Sequence, residues 1–339
     1  MNKALVLTVL LLLSGCIKDP ESGPNMEVKE VRIPRGAGGV GFLPLLVMEK
    51  LQLIEKHAKE NRIPDLKVRW LELGGPSVMN DALLSGSVDY IAAGPPAFLV
   101  LWDKTKETMP VMGVAAMTSL PMYLNSTAPH LKKLDDVTDK DKIALTAIKV
   151  SIPAIVMQMY AKQRYGDAEV THFDKYTVSM THPDGVIALL GGSGAINAHF
   201  TSPPFHQREK KDPKVHTVVT TNDILGGPAT FTMLSTTEKF RFSNPTVYYV
   251  VLKALEEANM LIVADKKKAA EILLGSTTEG GFSLEEILAV LNDPDIRFTT
   301  IPESVMKYAE FMHSIKSIQH LPMSWKDVFF PDMHDRAGS

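Results

Sequence analysis

The chain has 339 residues, of which 45% are hydrophobic, more than a single core usually serves, so two lobes are expected. Thirty-six Lys and Arg against 39 Asp and Glu leave a net charge of −3. No long block of like charge appears, which argues against a nucleic-acid partner.

In chain order, Lys3 precedes an apolar run over 4–13 and then Ser14-Gly15-Cys16. That is the layout of a signal peptide, assigned to 1–15, and it is too short to span a bilayer, which takes roughly 20 apolar residues. Leu13-Ser14-Gly15-Cys16 resembles the bacterial lipobox, which implies lipidation of Cys16 and a tether over 16–26. Cys16 is the only cysteine, so the mature domain has neither a disulfide framework nor thiol catalysis. No later apolar stretch reaches spanning length.

A short alternating run around Val31 and Ile33 enters a glycine loop. Gly36, Gly38 and Gly41 fit G-x-G-x-x-G, a weakly specific dinucleotide fingerprint. Apolar residues at 43, 46, 47, 51, 54 and 58 then predict one helix over 43–62. A strand is expected over 67–73. Next come Gly75-Pro76-Ser77, with Ser77 placed to cap a helix over 78–84. A strand over 88–93 leads through Gly94-Pro95-Pro96 into a helix over 97–105, and another strand follows at 109–117. Three strand–turn–helix units in series predict a mainly parallel sheet, with its turns on the edge where open α/β sheets bind ligands.

From residue 120 the texture changes. A strand over 142–148 leads through Lys149-Val150-Ser151 into a helix over 152–165. Another strand is expected at 177–180, then a helix over 183–190, with His182 and Asp184 as its cap. A strand at 196–200 meets Thr201-Ser202-Pro203-Pro204, and a further strand covers 215–220. After Gly226-Gly227-Pro228 comes a strand at 230–235. The remainder is nearly all helix, with Ser283 and Glu286 forming a capping box.

Several segments carry a family likeness: GVGFLPLLVMEKLQLIEKH (39–57), LLSGSVDYIAAGPPAF (83–98), SIPAIVMQMYAKQRYGD (151–167), HPDGVIALLGGSGAINAHFTSPPF (182–205), VVTTNDILGGPATFTMLSTTEKF (218–240) and NPTVYYVVLKALEEAN (244–259). The chain resembles the periplasmic substrate-binding proteins of ABC importers, in the SsuA-like branch of aliphatic-sulfonate, taurine, nitrate and thiamine-pyrimidine binders. The resemblance implies a two-lobed α/β type II periplasmic-binding-protein fold with mixed sheets and a helical C-terminal covering. Lobe I would take 27–118 and 226–339, and lobe II 119–225, with hinges near 116–123 and 219–227. It implies a monomer, exported to the periplasm or cell envelope, whose partners are a small-molecule ligand, the permease and ATPase subunits, and the membrane through lipid on Cys16. No cofactor, metal or catalysis is implied. A sulfonate such as taurine is the expected ligand, with nitrate, bicarbonate or a thiamine-pyrimidine precursor as alternatives. A ligand-sensing lipoprotein is the alternative to an importer component.

The candidate ligand residues are the helix mouths: Gly39, Val40, Gly41, Phe42, Gly75, Pro76, Ser77, Gly94 and Pro95 from lobe I, and Lys149, Val150, Ser151, Thr201 and Ser202 from lobe II. Unpaired N–H groups and the positive dipole end suit polar or anionic groups. Phe42 would cover an organic portion. Lys149 either pairs with an anion or starts a helix in solvent, and Arg35 is equally open. His199 either donates to a ligand or is a core histidine with its hydrogen bonds satisfied. The other histidines are scattered, without metal-ligand spacing. The enzyme reading of the glycine loop lacks its acidic ribose partner, since Glu72 stands about 31 residues beyond Gly41 where about 20 is usual. No nucleophile elbow or zincin motif is present, nor the cysteine-rich motif of thiamine-pyrimidine enzymes.

Overall fold

The computed structural model describes residues 27–73, 75–192, 194–276 and 281–339. The signal peptide, Cys16 and the tether lie outside the described residues.

Glu30–Pro34 (β1) buries Val31 and Ile33 completely and leads to a 3-10 turn, Val40–Phe42. The helix expected over 43–62 is two helices, Leu43–Lys50 (α1) and Leu53–Glu60 (α2). The break falls at Gln52, whose left-handed φ of 51° ends one helical path and lets Leu53, Ile54 and Ala58 bury on a new line. Lys67–Leu71 (β2) pairs in parallel with β1, Ile33 opposite Trp70. Pro76–Leu84 (α3), Ile91–Ala93 (β3), Pro95–Thr105 (α4) and Val111–Ser119 (β4) follow.

The chain then crosses to a second region. This holds Tyr123–Ser126 (β5), Ile143–Leu145 (β6), Ile152–Tyr165 (α5), Thr177–Ser179 (β7), His182–Leu190 (α6), Ala198–Thr201 (β8), Phe205–Glu209 (α7), His216–Thr220 (β9) and Thr221–Leu225 (α8). It returns through Thr230–Thr237 (β10) into Glu238–Ser243 (α9), Pro245–Ala264 (α10), Lys266–Ser276 (α11), Leu284–Leu291 (α12), Arg297–Phe298 (β11) and Val305–Ser314 (α13).

The sheets are β1-β2, β11-β4-β10-β3 and β7-β6-β8-β5-β9. The parallel sheet expected for the first lobe is corrected. β10, from the C-terminal half, inserts between β3 and β4 and runs antiparallel to both. A local reading of strand–turn–helix units cannot see a strand that arrives from more than a hundred residues away. In the second region β6 is parallel to β7 and β8, while β5 is antiparallel to β8 and β9, so both larger sheets are mixed or antiparallel.

The C-terminal helices cover the first region: α10 packs on α1 and α2, α11 on α1, and α13 on α4. The Ser283–Glu286 capping box is formed, with Ser283 N–H donating to Glu286 at 2.8 Å and Glu286 N–H donating to Ser283 Oγ at 3.2 Å. Among the described residues no helix is long and apolar enough to cross a membrane.

Candidate ligand cleft

A cavity of about 60 Å³ lies where the two regions meet. One wall is Phe42, Pro76, Met79, Ala92, Ala93, Gly94 and Ala97, with Phe231 and Thr232 from β10. The opposite wall is Thr146, Val150, Ser151, Ile152, Pro153 and His182, and Met122 of the crossing segment closes one side. The regions also touch directly: Val40 N–H donates to Pro203 C=O at 3.2 Å. Gly39 makes this contact possible. Its φ of 78° and ψ of −179° fall where only glycine is comfortable, and a Cβ there would lie 3.1 Å from Pro203 O.

Four helices open on the cavity: α3 at Pro76, α4 at Gly94, α5 at Ser151–Pro153 and α6 at His182. Each has proline at its first or second position: Pro76, Pro95 with Pro96, Pro153, and Pro183. Proline is well placed there but brings no N–H. Capping hydroxyls take further donors, Ser151 Oγ accepting from Ala154 N–H and Thr181 Oγ1 from Asp184 N–H. The helix mouths therefore supply dipole and shape but few free donors, and among the described residues no charged side chain lines the cavity.

The sequence-predicted residues separate accordingly. Phe42, Pro76, Gly94, Val150 and Ser151 line the cavity. Phe42 meets Phe231 edge-on, with ring centroids 6.3 Å apart. Gly39 and Val40 lie in the interlobe contact, while Gly41 packs within the first region, its C=O accepting from Thr232 Oγ1 at 2.7 Å. Gly75 caps α3 through its backbone, so Ser77 is not the cap; it is the second helical residue and is exposed. Pro95 is buried behind Gly94, and Thr201 and Ser202 are buried outside the cavity wall. Lys149 is turned away, exposed at a separate surface hollow with Gln158 and Asp174, whose carboxyl pKa is raised by burial, only partly offset by the Gln158 hydrogen bond and the Lys149 charge. Arg35 pairs with Glu49 at 2.5 Å and Glu72 at 3.0 Å.

His199 takes the second of its two expected places, a core histidine with its hydrogen bonds satisfied, while His182, expected as a cap, stands at the cavity wall. His199 is fully buried with both ring nitrogens engaged: Nδ1 is 2.5 Å from Glu209 Oε1, and Nε2 is 3.3 Å from His182 Nδ1. Glu209 is also fully buried, and its Oε2 accepts from Asn125 Nδ2 at 2.8 Å. His182 is not a cap, since Thr181 performs that task; its ring stacks on Phe205 and forms part of the cavity wall. Burial, reinforced by the His199 charge, holds the His182 imidazole well below the usual histidine range. Gly185 gives His199 its place, because a Cβ there would lie 2.5 Å from the imidazole. Sequence reasoning also missed Phe231 and Thr232. Their strand was legible, but its insertion beside the glycine loop was not.

Ser151 is a structural residue as well as a wall residue, because Oγ both accepts from Ala154 N–H and donates to Ala147 C=O at 2.6 Å. Ser151→Ala is expected to lower unfolding free energy by about 1 kcal/mol in urea titration, the usual cost of a lost cap. An unchanged midpoint would remove the capping role.

No protein-family profile matches the chain, and no curated protein matches it. Solved structures do. The chain is similar to the alkanesulfonate-binding protein SsuA of Xanthomonas axonopodis pv. citri bound to MOPS (17% identity, 88% of this chain and 96% of that chain, TM-score 0.66). It is similar to the periplasmic aliphatic sulphonate binding protein SsuA of Escherichia coli (16% identity, 90% and 92%, TM-score 0.63). It is also similar to the periplasmic nitrate-binding protein NrtA of Synechocystis PCC 6803 (15% identity, 89% and 84%, TM-score 0.63). With mixed α/β lobes, two crossings and a cleft between, the chain has the two-lobed periplasmic-binding-protein fold.

Proposed function

We propose that this protein is a non-catalytic solute-binding component of an ABC importer. It would be exported to the cell envelope, anchored through lipid on Cys16, and deliver a small organic molecule from the interlobe cleft to the permease. The observation that carries this reading is the cavity itself, walled by helix mouths from both regions and bridged by Val40 and Pro203. A ligand touching both walls favours the closed arrangement by its differential contacts. A sulfonate, the ligand expected from the sequence, meets helix dipoles here but, among the described residues, no lysine or arginine. Phe42, Met79, Ala97, Met122, Ile152 and Phe231 supply apolar surface. The walls therefore favour an organic body with a polar end over a bare inorganic anion.

Calorimetry on the purified protein with alkanesulfonates, a thiamine pyrimidine, nitrate and bicarbonate tests this. An organic compound is expected to bind at least about tenfold more tightly than either inorganic ion, a difference of about 1.4 kcal/mol. Nitrate or bicarbonate binding more tightly than every organic compound would overturn the ligand class. Absence of heat with all of them would overturn the solute-binding reading for these classes.

A further inference from the structure

We infer that His182 is the polar recognition group of the cavity, presenting Nε2–H to an acceptor atom of the ligand, and that the buried His199–Glu209 pair sets that tautomer as positioning residues. The inference rests on the solute-binding reading for its ligand but not for its proton arrangement. His182 is 6% exposed and lines the cavity, and its Nδ1 is taken by His199 Nε2 at 3.3 Å. Its Nε2 has no protein partner among the described residues, so a hydrogen-bonding site is left for whatever fills the cavity.

Charge balance fixes which kind of site. Glu209 and His199 are both fully buried, and an unbalanced ion there is costly, so the pair is net neutral. A net-neutral carboxyl–imidazole pair holds two protons. One lies in the 2.5 Å bond between Glu209 Oε1 and His199 Nδ1. The other is on His199 Nε2, whichever partner holds the first. That N–H donates to His182 Nδ1. His182 is a neutral imidazole, so its single proton is on Nε2, facing the cavity. The matching ligand group is an acceptor, such as a carbonyl, ring nitrogen, carboxylate or sulfonate oxygen. An ammonium or other obligate donor is rejected.

The test is nitrogen-15 NMR of the histidine rings in the whole mature protein at pH 7, with His182→Gln and His199→Gln spectra for assignment. The wild type is expected to show His182 protonated on Nε2. In Glu209→Leu, His199 Nδ1 loses its partner, either His199 nitrogen can hold the proton, and the His182 proton is expected to divide between Nδ1 and Nε2. A wild-type His182 protonated on Nδ1, or on both nitrogens, overturns the inference without any variant having to fold. A folded Glu209→Leu protein whose His182 tautomer is unchanged overturns the role of the pair. Acetamide and methylammonium then serve as acceptor-bearing and donor-only probes. Acetamide is expected to shift the His182 Nε2 resonance and methylammonium to leave it in place. The reverse result, or no shift with either, overturns recognition through Nε2. The tautomer is read without ligand, so a failed calorimetric panel and a failed proton arrangement are told apart.

Discussion

Gly39→Ala is expected to weaken ligand binding by at least about tenfold, with a smaller fall in the stability of the ligand-free protein. Two effects add. The backbone at φ 78° and ψ −179° lies in a region essentially reserved for glycine, and an alanine there costs on the order of 1–3 kcal/mol. The new Cβ also points across the cleft, 3.1 Å from Pro203 O and 3.3 Å from the Phe205 ring. Both penalties bear on the closed arrangement, where Val40 N–H must reach Pro203 C=O. An open arrangement relieves the second penalty and lets the loop relax part of the first. Closure therefore becomes harder than folding, and the loss appears mainly in affinity, about 1.4 kcal/mol per tenfold. Calorimetry with the tightest compound of the panel, beside a thermal melt without ligand, separates the two. Unchanged affinity would show that the Gly39–Pro203 contact has no part in binding.

How much of this was legible in the sequence depends on the range of each interaction. Helix mouths at Gly94, Ser151 and His182 are local chemistry, in which proline and a capping hydroxyl or glycine mark the start. The helix over 152–165 emerges with its predicted bounds for the same reason. The antiparallel place of β10 depends on pairing between Met233 and Ala93 and between Thr237 and Val111, which no local pattern encodes. The strand at Tyr123–Ser126 escaped notice because Asn125 and Ser126 are polar although fully buried. They are buried because Asn125 serves Glu209 and Ser126 Oγ donates to Asn197 C=O at 2.8 Å. In the site, turn composition indicated the edge but not which side chains face inward. Lys149 lies beside the cavity residue Val150 yet turns outward, and only the packed structure separates them. Likewise Gly185 decides that His199 goes under α6 while His182 stays at the wall.

The same buried pair carries the largest stability effect expected in the molecule. Glu209→Ala should destabilise the fold by about 3–5 kcal/mol, as removal of one partner from a buried pair does. The carboxyl shares a hydrogen bond with His199 on one oxygen and accepts from Asn125 on the other, so its loss leaves two buried polar groups without their partner. A paired replacement behaves differently. Glu209→Leu with His199→Leu removes the ionisable groups together and fills much of their space, so its cost should be smaller than the sum of the two single changes by about 1–3 kcal/mol. Urea titrations of the wild type, both single variants and the double variant give that coupling directly. Additive costs, or a Glu209→Ala loss under about 1 kcal/mol, would mean that the pair is not a unit and that Asn125 and the surrounding packing hold this region alone. A positive coupling has a consequence for the cleft as well. The double variant frees His182 Nδ1 of its partner, so the imidazole can take either tautomer and turn on its stack with Phe205. Stability regained in that variant should therefore be accompanied by a looser choice between acceptor and donor ligands, because the proton order at the wall is set from beneath it.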